Sequence, residues 1–285
     1  MKNWKLLSVL VIFGVLFALS CPEAFARTLK FAVASDLHYS ANKFSDSERD
    51  LSKTSKILNG FVDRMNENNY DFVIFLGDNI DKSNTDNLNG FLKAVKNIKA
   101  PYYLVMGNHD VHKISGLEKK AYLETVSQMS KYQRNARESY YFYPTSDVIV
   151  IVLDNVSSGM PSSHGIFTQK TVKWLDEVLE KNKNKKALIF QHVPFVEPYK
   201  NVSHEILEKA DYRAVLSRHD NILAVFAGHY HKEGTTKDDK GITHVNVPAM
   251  CVEPYYYLEM NLKYDKSLLQ KGKNFKLDGD AKPAI

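Results

Sequence analysis

Five of the ten histidines, His38, His109, His192, His229 and His231, follow directly on apolar runs, in turns that also carry glycine, proline or aspartate. The densest of these turns is Gly107-Asn108-His109-Asp110, which sets an amide oxygen, an imidazole and a carboxylate in consecutive positions. Asp36 and His38 leave another run two residues apart, on one side if the chain stays extended. Together with Asp36, Asp78 and Asn108, the five histidines form a mixed nitrogen and oxygen donor set without thiolate. Such a set suits Mn, Fe or Zn and differs from the all-oxygen cages of Ca or Mg.

The elements that must position these residues can be read from apolar spacing. Strands are expected at Thr28 to Ala34, Phe72 to Leu76, Tyr102 to Met106, Ala187 to Phe190 and Asn221 to Ala227, each delivering a cluster of candidate donors. Leu51, Leu58, Phe61, Val62 and Met65 recur at helical spacing between Ser47 and Asn69, with Ser47 and Asp50 placed as a capping box. Leu88, Phe91, Leu92, Val95 and Ile98 mark a second helix. Strand, helix, strand implies right-handed crossovers and parallel pairing, so the carboxyl ends of the strands share one edge, where ligands bind.

Lys113 to Lys131 is expected to be helical, and Ser139 to Tyr143 with Val148 to Leu153 to form a hairpin opening a second sheet. A helix from Thr168 carries Val172, Leu175, Val178 and Leu179 on one face. Gly241 to Val247 and Tyr255 to Leu262 are expected as antiparallel strands, and the Lys-rich tail carries no pattern. Tyr255-Tyr256-Tyr257 reads as core by alternation, or as an aromatic wall beside a pocket. No repeat or linker divides the chain, and one α/β domain over residues 27–285 is the economical reading.

Residues 1–26 differ in kind. Lys2 and Lys5 precede an apolar run from Leu6 to Leu19, followed by Ala24-Phe25-Ala26, the pattern of a secretory signal peptide cleaved after Ala26. The run is too short for a membrane span, which needs about 20 residues, and lipidation at Cys21 is the other reading of this segment. An exported, periplasmic or secreted protein without a membrane anchor is expected. Cleavage removes Lys2, Lys5 and Glu23, so the net charge falls from +5 to +4 (5 − 2 + 1), and Cys251 remains as the one cysteine, so no intramolecular disulfide is expected. Lys181, Lys183, Lys185 and Lys186 make the densest charge group, read as a solvated turn and not as a nucleic-acid surface.

The order Asp36-x-His38, Gly77-Asp78, Gly107-Asn108-His109-Asp110, His192, Gly228-His229-x-His231 resembles the signature of the calcineurin-like metallophosphoesterases over residues 36 to 231. The resemblance implies an α/β fold in which two central mixed β-sheets pack as a sandwich flanked by helices, four layers in the order α-β-β-α. It also implies two divalent or mixed-valence metal ions, Mn or Fe, with Zn compatible. Asp36, His38 and His231 would bind the first ion, and Asn108, His192 and His229 the second, with Asp78 bridging them. A hydroxide held between two such ions attacks phosphorus, and the ions neutralise the phosphoryl oxygens. His109, not a ligand, would stabilise charge or protonate the leaving group, and Asp110 would orient that imidazole.

Asp81 stands where purple acid phosphatases carry a tyrosine ligand, which argues against a redox-active iron–tyrosinate centre. The Gly-Asn-His-Asp form resembles bacterial cyclic-nucleotide and general phosphodiesterases. The reading is a hydrolase acting on small phosphomonoesters or phosphodiesters, nucleotides among them. A nuclease would need a basic groove interleaved with aromatic residues, which scattered lysines do not supply. A non-catalytic metal-binding interaction protein on the same fold would be expected to lack ligands, and none is missing.

Overall fold

The computed structural model describes residues 28–41, 49–157, 162–263, 267–275 and 277. The expected signal segment and the capping position Ser47 lie outside the described residues. In chain order the first elements are β1 (Leu29–Ala34), α1 (Thr54–Glu67), β2 (Phe72–Phe75), α2 (Thr85–Val95), β3 (Tyr102–Leu104) and α3 (Lys119–Met129). They are followed by β4 (Tyr140–Thr145), β5 (Val148–Val152), β6 (Gly165–Ile166), α4 (Gln169–Lys181), β7 (Lys186–Phe190) and β8 (Ile206–Leu207). The last are α5 (Ala210–Arg218), β9 (Ile222–Ala227), β10 (Gly234–Lys237), β11 (Thr243–Asn246), β12 (Tyr256–Leu262) and β13 (Leu268–Asn274).

Among the described residues, eleven of these strands form two mixed sheets, ordered β13-β12-β1-β2-β3 and β10-β11-β9-β7-β5-β4, while the short strands β6 and β8 pair with each other. β1, β2 and β3 run parallel in the first, and β5, β7, β9 and β11 in the second. The near-continuous apolar runs of the central strands follow from burial on both faces. Between the sheets, Phe31 stacks on Phe72 at 4.7 Å and Phe190 on Phe226 at 4.7 Å. The two pairs meet edge to face, Phe31 lying 6.0 Å from Phe226, so one aromatic cluster joins β1 and β2 to β7 and β9. The outer faces carry the helices through Ile57, Phe61, Phe91, Leu92, Leu175, Leu179 and Leu216.

Several expectations are corrected. α1 is preceded by a 3₁₀ turn over Leu51–Lys53, and neither Asp50 nor Lys53 contributes a side-chain cap. Asp50 instead accepts a hydrogen bond from the Tyr255 hydroxyl at 3.0 Å. The helix expected from Lys113 begins only at Lys119, because the Ser83 hydroxyl and carbonyl and the Leu117 carbonyl engage the intervening backbone in turns. β3 stops at Leu104, and Pro144 lies within the edge strand β4 at a register shift, a position that tolerates a missing N–H donor. β11 pairs parallel with β9 instead of antiparallel, while β12 returns to the first sheet antiparallel to β1. The expected start at Thr168 agrees with its observed role, its hydroxyl accepting from the Thr171 N–H as the N-cap of α4. Tyr255 and Tyr257 are buried core, and Tyr256 is half-buried with its hydroxyl on Glu233.

Candidate metal centre

The turns at the strand ends have an unusual backbone. Asp36, His38, Asp78, His229 and His231 adopt positive φ values of 51°, 49°, 47°, 70° and 55°. Non-glycine residues hold such a conformation only where their surroundings impose it, at a cost of about 1 kcal/mol or more each. Here the turns brace one another: the Asp36 N–H donates to the Gly77 carbonyl at 3.1 Å, and that of His38 to the Asp78 carbonyl at 2.8 Å. Close approach depends on two glycines. A Cβ on Gly107 would lie 2.2 Å from Asp78 Oδ1, and one on Gly228 would lie 1.8 Å from Ser35 Oγ and 2.4 Å from Asp36 Oδ2.

The first sheet delivers Asp36, His38, Asp78, Asn108 and His109, and the second delivers His192, His229 and His231. Asp36, His38 and His231 each present a donor atom within 4.8 Å of the others, and so do Asp78, His192 and His229. Between the groups, His192 Nε2 lies 3.3 Å from Asp78 Oδ1 and 3.1 Å from Asn108 Oδ1, and His38 Nε2 lies 3.7 Å from Asp78 Oδ2. His38 Nε2 and His231 Nε2 are 3.2 Å apart. The structure thus gathers all seven expected donors, with Asp78 in contact with both groups.

Backbone carbonyls select which imidazole nitrogen is available. His192 Nδ1 donates to the Leu76 carbonyl at 2.8 Å, which leaves Nε2 as the nitrogen that faces Asp78 and Asn108. His229 donates through Nε2 to the Ser163 carbonyl at 2.7 Å, which leaves Nδ1 for coordination. Oxygen and nitrogen donors facing each other at 3.1–3.7 Å, with His192 and His229 each oriented by a backbone carbonyl, fit a pair of cations of the Mn, Fe or Zn class.

The charges agree with that fit. Burial would raise the Asp36 carboxyl, but its hydrogen bond to His231 and the charges of His231 and His192 hold it at about 2. Asp78 is likewise held well below its ordinary value, burial being outweighed by His192 and His109. Burial lowers His192, yet the charge and hydrogen bond of Asp78 push it up to about 9. His38 and His229 are driven down by burial, His229 to about 3. Two buried carboxylates are therefore kept ionised by neighbouring positive charge, the role a bound cation takes over.

Asp110 departs from expectation. Its side chain is fully buried, and among the described residues its carboxylate hydrogen bonds go elsewhere than to the His109 imidazole. Asp110 Oδ2 accepts from the Gly107 N–H at 2.8 Å and from Asn79 Nδ2 at 2.9 Å, and Oδ1 accepts from the Ile80 N–H at 3.0 Å. The turn after Gly107, closed by the Asp110 N–H on the Gly107 carbonyl at 3.2 Å, folds the carboxylate back onto its own loop, so it ties the second ligand turn to the third. Burial, then the Asp78 charge, push Asp110 up to about 7 against those amide hydrogen bonds. The imidazole is oriented instead by the Asp81 carbonyl, which accepts from His109 Nδ1 at 2.8 Å, and the His109 N–H donates to Asp78 Oδ1 at 2.8 Å.

Sequence reasoning missed Arg49, Asn79 and Ser163. Arg49 Nη1 lies 2.9 Å from Asp81 Oδ1 and 3.2 Å from His38 Nδ1. It follows no apolar strand, so nothing in spacing links it to the cluster. Two cavities open on the centre, of about 630 and 940 Å³, and both are lined by Arg49, Asn108, His109 and Ser163. The smaller is otherwise lined by Lys82, Ser83, Asn84, His112 and Ser115, the larger by Tyr199, Asn201, His204, Tyr230 and Lys232. His112 and His204 thus lie on the rim, whereas His164 binds the Val202 carbonyl. Tyr39 packs against the core.

Residues 29–233 match the family model described as calcineurin-like phosphoesterase. A probable cyclic nucleotide phosphodiesterase from Fibrobacter succinogenes is 24% identical over 241 residues, 82% of this chain and 85% of that protein. A probable glycerophosphodiester phosphodiesterase from Arcobacter nitrofigilis is 24% identical over 198 residues, 68% of this chain and 67% of that protein. Among solved structures, a dimetal phosphatase from Danio rerio superposes with a TM-score of 0.71 at 17% identity, covering 86% of this chain and 96% of the other. With the family model spanning the strands and turns that carry every candidate ligand, the chain belongs to the calcineurin-like phosphoesterase family, a metallophosphoesterase by fold and by motif.

Proposed function

We propose that this chain hydrolyses phosphodiesters of small molecules, nucleotides among them, at a dinuclear centre held by Asp36, His38 and His231 on one side and Asn108, His192 and His229 on the other, with Asp78 shared. The observation that carries the reading is the meeting of the two donor groups at Asp78, beneath two cavities that share Arg49, Asn108, His109 and Ser163. A phosphodiester has two organic arms leaving one phosphorus, and two adjoining cavities at the centre suit that shape better than a monoester with one arm. The names of the bacterial relatives support the same choice.

Two ions bound there, Mn or Fe with Zn compatible, supply Lewis-acid chemistry: they activate water and neutralise phosphoryl oxygens. The residues of the chain do the rest. Arg49, Lys82 and Lys232 bring positive charge to the cavity walls, and Asn108 shares its amide with the centre. His109, its Nδ1 proton fixed on the Asp81 carbonyl, keeps Nε2 as the atom that passes a proton to the leaving oxygen as the ester P–O bond breaks. Asp110 positions the Gly107 turn and takes no part in proton transfer.

We further propose, on the sequence pattern alone, that residues 1–26 are removed during export and that residues 27–285 act as one domain outside the cytoplasm. Among the described residues no helix is long and apolar enough to cross a membrane.

The test is hydrolysis of bis-p-nitrophenyl phosphate against p-nitrophenyl phosphate by metal-stripped protein reloaded with Mn, Fe, Zn or Mg, beside Asp78→Ala. The expected result is turnover restored by metal, higher on the diester, and abolished by Asp78→Ala. Metal-independent turnover, or a preference for the monoester, would overturn the reading.

A further inference from the structure

A third cavity, of about 650 Å³, lies at the other side of the sandwich, against the edge strands β3 and β4 and the segment 131–139 that joins α3 to β4. It shares no lining residue with the two cavities at the metal centre. Its size is that of a small-molecule site. Two features of its walls are unusual.

The first is aromatic. Along β4 the side chains alternate, so that Phe142 turns between the sheets and stacks on Tyr103 at 3.7 Å, while Tyr141 turns outward toward α4. There Tyr141 lies 6.2 Å from Trp174 at an interplanar angle of 31°. Tyr132 adds a further ring to the walls. Tyr103, Tyr132, Tyr141 and Trp174 are all only half-buried, as are Tyr140 and Phe142 beside Tyr141 on β4. Half-covered rings around a concave surface are the means by which proteins stack planar ligands.

The second is electrostatic. Arg134 and Arg137 line the same cavity, both exposed, and neither has an ion pair or side-chain hydrogen bond among the described residues. Lys131, beside them, is committed to the Ile98 carbonyl and the face of Tyr132. Two guanidinium groups three residues apart, without acidic partners, present ten N–H donors in planar forks suited to phosphate oxygens. Arginine without a partner next to half-covered rings is a combination that calls for an anion bearing a flat ring.

We infer that this cleft binds a nucleoside phosphate, its base against Tyr141 and Trp174 and its phosphate on Arg134 and Arg137, at a site separate from the metal centre. Binding there needs neither the metal ions nor hydrolysis, so the inference stands apart from the proposed activity. The ligand chemistry is an aromatic base together with a phosphate, and neither half alone satisfies both walls.

Trp174 makes the test direct, because the full chain has only two tryptophans, Trp4 and Trp174. AMP is titrated into the metal-stripped full chain and into its Asp78→Ala variant, and tryptophan fluorescence is followed beside calorimetry. Saturable quenching with the same affinity in both is expected. Arg134→Ala with Arg137→Ala should weaken AMP about tenfold or more, since each removes a charge-assisted hydrogen bond. Trp174→Phe should abolish the fluorescence change while calorimetry still detects binding. Adenosine and inorganic phosphate should each bind more weakly than AMP. Absence of saturable binding, binding lost in Asp78→Ala, quenching that survives Trp174→Phe, or an affinity unchanged by the arginine substitutions would overturn the inference.

Discussion

Gly228 is where the turn after β9 crosses the turn after β1, and a methyl group there would have to occupy the space of Ser35 Oγ and Asp36 Oδ2. Gly228→Ala is therefore expected to displace a ligand of the first ion, lowering turnover by about 100-fold or more, because displacements near 1 Å at a reacting centre cost that much. Metal content measured beside turnover checks this: full occupancy with normal kcat would refute it. Asp110 calls for a different experiment. Its three hydrogen bonds from Gly107, Ile80 and Asn79 make it a brace, so Asp110→Asn should lose about 1–3 kcal/mol of stability and part of the turnover. The pH profile of the remaining activity should keep its shape. A vanished limb would mean that Asp110 moves protons after all, and that its folded-back geometry is not the working one.

Between elements, the contact of α4 with α5 includes a charge-dependent link. Asp176 on α4 lies 2.8 Å from His219 Nε2 and 2.8 Å from Arg218 Nη2 at the end of α5. The hydrogen bond from His219, opposed by some burial and helped by Arg218, holds Asp176 below its ordinary value of 3.8. A carboxyl whose folded value is depressed stabilises the fold fully above the unfolded value, and that contribution fades as pH falls through the folded one. Wild type should thus melt above Asp176→Asn at pH 7, with the gap closing below pH 3.8. A gap that does not narrow as pH falls below 3.8 would show that the link is not ionic. Other elements were hard to read from sequence for physical reasons. α5 has few apolar positions, and β13 is a lysine-bearing edge strand whose pairing is supplied by β12.

For the whole molecule, the metal centre is also a joint. Its donors come from both sheets, so cations that bind the folded chain and not the unfolded one hold the layers together by linkage. At free ion concentrations a hundredfold above Kd, this adds about 2.7 kcal/mol to stability. The melting temperature should rise with Mn concentration and drop on chelation, and calorimetric scans with chelator and with excess Mn test this directly. A melting temperature indifferent to metal would mean that the seven donors are not gathered around cations in the folded protein. Beside this joint, the aromatic cluster of Phe31, Phe72, Phe190 and Phe226 fastens the same two sheets without charge.

The linear order of residues by itself determined the donor types, their positions after apolar strands, and parallel pairing of the donor-bearing strands with their ends on one edge. All of this is local: period-2 and period-3.6 patterns, and glycines beside ligands, leave their mark on neighbouring positions. The grouping of the first-sheet donors with His192, His229 and His231 was implied by the family resemblance; only the tertiary structure decided that the Asp81 carbonyl, not Asp110, orients His109. It also brought Arg49 to His38 and set Arg134 and Arg137 beside Trp174. Those relations depend on how two sheets pack and how loops fold back between them, and contacts between residues far apart in the chain leave no periodic trace in it.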